Sequence, residues 1–166
     1  SNILIDAFDR VLVLDFGLGW IEHPEDRETN RMTATGAFMG TPYYASPEQA
    51  RGDWKHVDPT SDIYSLGVAL YETLAGRPPF EGATAVEIIQ KILNDDPSPL
   101  RKLRPDLPWE LEVICQRALE KERARRYPSM KEFADDLGRY LAGEPIRASR
   151  PGLAYRARKK LTRHKA

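Results

Sequence analysis

The sequence contains a single cysteine among its 166 residues, which excludes an internal disulfide and a cysteine-based zinc cluster. It also lacks long apolar runs, and none approaches the ~20 residues that a membrane-spanning helix needs. No leader-like segment precedes the first strand-like residues, so we expect no signal peptide and a cytoplasmic setting. With 41% hydrophobic and 30% charged residues, the composition is that of a globular chain.

The charges balance overall, with 25 basic and 25 acidic side chains, but they are unevenly distributed. Residues 147–166 hold eight Lys and Arg and no acid, whereas residues 1–146 hold 17 basic and 25 acidic side chains. Leu153, Ala157 and Leu161 would share one face of a helix in this basic segment. We expect a membrane surface as its partner, on the cytoplasmic side, and no nucleic acid; the alternative is a solvated polar extension.

Short β-branched and leucine runs, Ile3–Ile5 and Val11–Leu14, flank a turn-like stretch and predict a β-hairpin. From Gly17 to Gly52 no apolar period persists, which predicts a long irregular segment. Four helical patterns follow, so the fold class is mainly α with a short β-hairpin.

The helical patterns come with start and stop signals. The first contains Ile63, Leu66, Gly67, Leu70, Tyr71 and Leu74, with Ser61 as its predicted cap and Gly76 at its end. The second opens on Thr84 and Glu87, the third runs through Trp109, Val113, Ile114 and Leu119, and the fourth runs from Ser129 and Glu132 to Gly143. Cys115 falls within the third pattern and is predicted to be a core residue.

Three sequence motifs and a late arginine carry the chemistry. Asp15-Phe16-Gly17 follows the hairpin, and Gly40-Thr41-Pro42-Tyr43-Tyr44-Ala45-Ser46-Pro47-Glu48 follows the irregular segment. Asp62-Ile63-Tyr64-Ser65-Leu66-Gly67 opens the first helix, and Arg126 lies near the end of the chain. In this order and spacing they resemble the signature of eukaryotic-type (Hanks-type) Ser/Thr protein kinases, and of their bacterial members in particular.

The resemblance covers roughly residues 1–143 and implies the late part of a kinase C-lobe, with residues 144–166 as a basic tail. The ATP-binding N-lobe, the early C-lobe helices and the general-base aspartate would lie upstream of Ser1. The resemblance implies ATP and Mg²⁺ as cofactors, with Asp15 and Asn2 as the metal-binding residues.

Roles for the other motif residues follow from the same resemblance. Thr41 would support the upstream base, and Asp62 would hold the catalytic loop. Glu48 and Arg126 would form a buried ion pair that ties the activation segment to the late helices. The remaining activation-segment residues are Phe16, Gly17, Gly40, Pro42 and Pro47.

The expected function is transfer of the ATP γ-phosphoryl group to Ser and Thr hydroxyls of protein substrates, in bacterial-type signalling. The isolated chain is expected to be inactive. The alternative is a pseudokinase scaffold that binds partners without catalysis. Thr33 and Thr35 stand where the family carries activating phosphates, which makes them candidate phosphosites and suggests self-association for autophosphorylation.

Overall fold

A computed structural model of the chain describes residues 3–5, 7–8, 11–13 and 42–148. The chain divides into two compact units, Ser1–Met39 and Gly40–Ala166. The elements, in chain order, are strands β1 (Ile3–Ile5) and β2 (Val11–Val13) and helices α1 (Pro47–Ala50), α2 (Pro59–Ala75), α3 (Ala85–Asn94), α4 (Leu100–Leu103), α5 (Trp109–Ala118) and α6 (Met130–Leu141). Short 3₁₀ turns lie at Pro42–Tyr44, Trp54–His56 and Arg123–Arg125.

The two strands form an antiparallel pair in the first unit. Ile3 lies opposite Val13, Leu4 opposite Leu12 and Ile5 opposite Val11. Residues 7 and 8 form the turn between the strands. The chain reverses at the turn-like stretch between the two apolar runs.

Helix α2 begins earlier than the sequence predicts. Asp58, not Ser61, is the N-cap, and its Oδ1 accepts a hydrogen bond of 2.8 Å from Thr60 N. Pro59 is the first helical residue, where its missing N–H costs nothing and its fixed φ suits the helix. Ser61 is the third helical residue, and its Oγ accepts a hydrogen bond from the backbone N–H of Asp58, which completes a capping box.

The predicted end of α2 is confirmed. Gly76 closes the helix with a positive φ of 73°, a conformation that costs a side-chain-bearing residue strain. The predicted inward face is confirmed at Ile63, Gly67 and Tyr71, which are buried, but Leu66 is 38% exposed. Tyr64 and Val68, which lie outside the predicted face, are fully buried. A single apolar stripe describes α2 poorly because this helix contacts neighbours on more than one side.

Helices α2 and α5 both contribute residues to two hydrophobic clusters. The first contains Tyr64, Val68, Tyr71, Leu100, Leu107, Leu111, Cys115 and Leu119. The second contains Ile63, Val113, Ile114, Ala118, Tyr127, Phe133 and Ala148. The predicted core position of Cys115 is confirmed, and burial raises the pKa of its thiol.

The later helices start at the predicted caps. Thr84 and Ser129 accept hydrogen bonds from the backbone N–H groups of Glu87 and Glu132. The Glu87 carboxylate accepts from Ala83 N, one residue before the cap, rather than from Thr84 N as in a capping box. Among the described residues, no helix combines the length and apolar character needed to cross a bilayer.

Candidate functional site

A buried ion pair joins α1 to the segment before α6. Arg126 Nη1 and Nη2 lie 2.7 and 2.8 Å from Glu48 Oε1 and Oε2, a two-pronged contact between residues 78 positions apart. The two residues are only 3% and 2% exposed. The pair that the sequence analysis expects is therefore formed, and both charges are removed from water.

The remaining hydrogen-bonding capacity of Arg126 is also satisfied. Nε donates to the carbonyl of Glu120, Nη1 to that of Thr60 and Nη2 to that of Lys121, at 2.7, 3.0 and 3.3 Å. With the two bonds to Glu48, these contacts engage all five guanidinium N–H donors. Such completeness is what allows a buried charge pair to offset the cost of its desolvation.

The Glu48 carboxylate accepts one more bond, from Ser61 Oγ at 2.6 Å. Burial by itself would raise the pKa of this carboxyl. The hydrogen bonds from Arg126 and Ser61 and the charge of Arg126 outweigh burial and lower the pKa to about 2. Arg126 also stacks over the ring of Tyr64, 5.0 Å from its centroid. Glu48 therefore stays ionised, and its charge joins α1, α2 and the segment before α6.

Residues 42–46 lie just before this pair and are fixed on α2. Ser65 Oγ donates to the carbonyl of Tyr44 at 2.8 Å, and Tyr44 Oη donates to Glu72 Oε2 at 2.5 Å. The bond to Glu72, together with partial burial and the negative charge of Glu72, raises the pKa of Tyr44 to about 12. Tyr44 is therefore a neutral donor at physiological pH.

The other side of this segment packs on α3. Tyr43 and Ala50 contact a small apolar cluster of Phe80, Ile88 and Ile92. Lys121 lies over the Phe80 ring, 4.7 Å from its centroid, and donates to the carbonyl of Ile92. Residues 42–50 are thus held between two helices. We call residues 42–46 the platform.

Helix α1, which carries Glu48, is one the sequence analysis missed. Ser46 caps it, with its Oγ accepting from Gln49 N and its own N–H donating to Gln49 Oε1 at 2.9 Å. Pro47 occupies the first helical position. The Ser-Pro-Glu-Gln stretch is a capping box with proline at the preferred place, so this signal was present in the sequence.

A second arginine braces the start of α2. Arg123 Nη1 donates to Asp58 Oδ2 at 2.7 Å and to the carbonyl of His56 at 2.6 Å. Burial opposes ionisation of Asp58, but its bonds from Thr60 and the charge of Arg123 leave its pKa lowered. The N-cap of α2 is therefore an ion-paired carboxylate that also anchors the preceding turn.

Comparison with known proteins shows which family this chain belongs to. The protein kinase domain family matches residues 1–137. The chain belongs to the protein kinase family. It is 41% identical over 148 residues to the serine/threonine-protein kinase PknB of Mycobacterium tuberculosis. The aligned residues make up 89% of this chain and 23% of that relative. It is 40% identical over 150 residues to the probable serine/threonine-protein kinase PknB of Bifidobacterium longum, covering 90% of this chain and 21% of the relative. It is 42% identical over 142 residues to the tyrosine-protein kinase MasK of Myxococcus xanthus, covering 86% of this chain and 21% of the relative.

These matches confirm the resemblance to bacterial Hanks-type kinases. The chain spans less than a quarter of the length of these relatives. The ion pair and the platform both fall within the matched kinase region.

Of the motif residues to which the resemblance assigns a role, the structure describes Pro42, Pro47, Glu48, Asp62 and Arg126. Pro42 and Pro47 are buried, as parts of the platform and of α1. Asp62 is exposed in the first turn of α2. Its predicted role in holding the catalytic loop stays a prediction.

Several predicted kinase site residues lie outside the described part of the chain. These are Asn2, Asp15, Phe16, Gly17, Thr33, Thr35, Gly40 and Thr41. The basic residues beyond Ala148 also lie outside it. Their assigned roles remain predictions.

Proposed function

We propose that this chain is the late part of the catalytic domain of an ATP-dependent Ser/Thr protein kinase. In the intact protein, the domain would transfer the γ-phosphoryl group of ATP to Ser and Thr hydroxyls of protein substrates. The observation that carries this proposal is the Glu48–Arg126 pair next to the platform, within a chain that belongs to the kinase family. The pair connects the end of the proposed activation segment to the late helices.

The platform suits the floor on which a substrate peptide would lie. Phosphoryl transfer depends on positioning and on charge neutralisation more than on covalent help, so a rigid floor is useful. Ser65 and Glu72 fix Tyr44 from one side, and the apolar cluster around Phe80 supports Tyr43 from the other. We propose that this bracing holds the acceptor hydroxyl in line with the phosphate.

The proposed metal-binding residues, Asn2 and Asp15, supply an amide oxygen and a carboxylate. Oxygen ligands of this kind fit Mg²⁺, which binds through few protein ligands and through substrate phosphates. When bound, the ion would neutralise phosphate charge. Phe16 and Gly17 would set the direction of Asp15, and Asp62 would accept backbone N–H groups of the catalytic loop.

The acceptor class rests on Thr41 and on the relatives. Thr41 matches a family position that supports the base in Ser/Thr kinases. Two of the three relatives described above are named as serine/threonine kinases and one as a tyrosine kinase. We therefore propose Ser and Thr acceptors, in proteins of bacterial signalling.

We further propose that the intact protein acts on the cytoplasmic side of a membrane surface, reached by the basic residues of 147–166, and that copies associate for autophosphorylation. The eight basic side chains without an acid support the first proposal. The test is binding of the intact protein to vesicles with and without anionic lipid. Equal binding to both would contradict the membrane proposal.

Activity is tested with the intact protein, Mg-ATP labelled in the γ position and a general protein acceptor. We expect labelled phosphoserine and phosphothreonine, and loss of label in Asp15→Asn but not in the control Asp135→Asn. Label on tyrosine alone would contradict the acceptor class. Absence of label in a folded protein whose upstream motif lacks the base aspartate would favour the scaffold alternative.

A further inference from the structure

The residue Asp136 is a buried carboxylate that no part of the proposed chemistry uses. It lies in α6 and is 0% exposed. Its Oδ1 accepts from Arg147 N at 2.7 Å, and its Oδ2 accepts from Ala148 N at 2.8 Å and from Tyr127 Oη at 2.9 Å. Three donors therefore compensate one buried carboxylate.

Two of those donors are backbone groups of the chain that follows α6. Ala148 is 6% exposed and packs in the second hydrophobic cluster, and Ile146 packs against the same cluster. The sequence assigns residues 144–166 to the tail, yet this part of it is attached to the helical unit. The side chain of Arg147 remains exposed although its N–H is bonded.

The third donor fixes the carboxylate itself. The guanidinium of Arg117 lies over the ring of Tyr127, 4.3 Å from its centroid, and the ring centroids of Tyr127 and Phe133 are 5.2 Å apart. Burial and the bond to Asp136 raise the pKa of Tyr127, so its hydroxyl stays a donor. Asp136 thus has a fixed orientation toward residues 147 and 148.

Its neighbour Asp135 shows what an ordinary acid on this helix does. Asp135 is partly exposed and pairs with Lys131 at 2.7 Å, one helical turn earlier. Such a pair on the helix surface contributes little to stability. Asp136 instead accepts hydrogen bonds from backbone groups 11 and 12 residues along the chain.

We propose that Asp136 is the anchor that holds the start of the basic segment on the helical unit. The eight basic side chains begin at Arg147, the first residue that the carboxylate holds. The positive charge therefore starts at a defined place on the helical unit. This inference does not depend on phosphoryl transfer.

Amide-resolved hydrogen exchange on the full chain tests the anchor. In the unmodified chain, the amides of Arg147 and Ala148 should exchange at least about tenfold more slowly than in an unstructured peptide. The Asp136→Asn variant should accelerate both by about 10- to 100-fold, since each loses a charged acceptor. Cleavage by trypsin after Arg147, followed by mass spectrometry, should rise in parallel because Ala148 is released.

Asp135→Asn is the matched control and should leave both amides and the cleavage unchanged. Peptide-like exchange of Arg147 and Ala148 in the unmodified chain would overturn the proposal, whatever the variants do. So would unchanged exchange in a folded Asp136→Asn variant, or acceleration of the α5 amides to the same extent, which would indicate general destabilisation. If Asp136→Asn does not fold, Arg147→Pro removes one donor at an exposed residue and should accelerate exchange at Ala148; no acceleration there counts against the anchor.

Discussion

Arg126 forms an ion pair with Glu48, 78 residues earlier in the chain, and each of its guanidinium N–H donors is hydrogen-bonded to an acceptor. Two of these acceptors are carboxylate oxygens and three are backbone carbonyls. Glu120 and Lys121 are consecutive, so the guanidinium fixes two backbone stretches, at Thr60 and at 120–121, together with the Glu48 side chain.

Removal of either partner should destabilise the fold strongly. We expect Glu48→Gln and Arg126→Met each to lower the free energy of unfolding by about 3–5 kcal/mol, because each leaves a buried charge uncompensated. The double variant should cost less than the two singles added together. Urea titration of all four proteins measures this, and strict additivity would show that the residues do not act as a pair.

The pair should also make stability depend on pH. The pKa of Glu48 is held at about 2, below its ordinary value of 4.5, so its contribution is full above about pH 4.5 and is lost as the pH falls toward 2. The contribution amounts to about 3 kcal/mol. Urea titrations of the unmodified chain and of Glu48→Gln between about pH 5 and pH 2 should therefore converge. A constant gap over this range would contradict the lowered pKa.

Gly67 should tolerate no side chain. A Cβ built on it would lie 2.8 Å from the Cβ of Ala118 and 3.3 Å from the Ala118 backbone, where α2 crosses α5. We expect Gly67→Ala to lower the free energy of unfolding by about 1–3 kcal/mol through overpacking. Gly138→Ala is the control, since Gly138 is helical and has open space around it, and it should stabilise by about 0.5–1 kcal/mol. Thermal unfolding of both variants checks this, and destabilisation by both would point to the helix backbone rather than to packing.

The contribution of the α2 N-cap to stability should be separable from that of the Asp58–Arg123 ion pair. Asp58→Ala loses both the cap and the bond from Arg123, and we expect a cost of about 1–2 kcal/mol. Asp58→Asn keeps a capping oxygen and loses only the charge of the ion pair, so it should cost at most about 1 kcal/mol. Equal costs for Asp58→Ala and Asp58→Asn in urea titration would mean that the cap contributes nothing.

Thr33 and Thr35 remain predicted phosphosites in the proposed kinase. A phosphate adds about −1.5 to −2 charges and orders a loop by pairing with arginines. After incubation of the intact protein with Mg-ATP, we expect mass spectrometry to find phosphate on at least one of them and none on Thr41. The double variant Thr33→Ala/Thr35→Ala should have reduced activity; full activity, with no phosphate on either residue in the parent, would contradict the prediction.

Local signals in the sequence predicted the ends of helices best. Gly76, Thr84 and Ser129 act where they were expected because a cap depends on residues only a few positions away. Asp58 was missed because two capping patterns overlap there, and the proline decides between them. The Ser46 capping box was overlooked because a four-residue helix has no apolar period to draw attention to it.

Long-range placement was harder to predict. Leu66 fits the apolar period of α2 yet remains partly exposed, whereas Tyr64 is buried under Arg126. That burial depends on a residue 62 positions later, which no local pattern contains. The ion pair itself was expected only through the family resemblance, and Asp136 was not singled out, since an aspartate beside another aspartate on a helix resembles a solvated face.

Arg126 and Tyr127 are consecutive in the chain, but one side chain bonds to Glu48 of α1 and the other to Asp136 of α6. Each contact requires its side chain to start from one position, and the two residues are joined by a single peptide bond. An insertion or deletion of one residue close to this dipeptide would carry one of the two side chains away from its partner. Changes in chain length should therefore be rejected between Lys121 and Tyr127 and accepted in the irregular, partly exposed stretch at 95–99 that follows α3. A library of single-residue insertions, scored for folded protein, would map that difference.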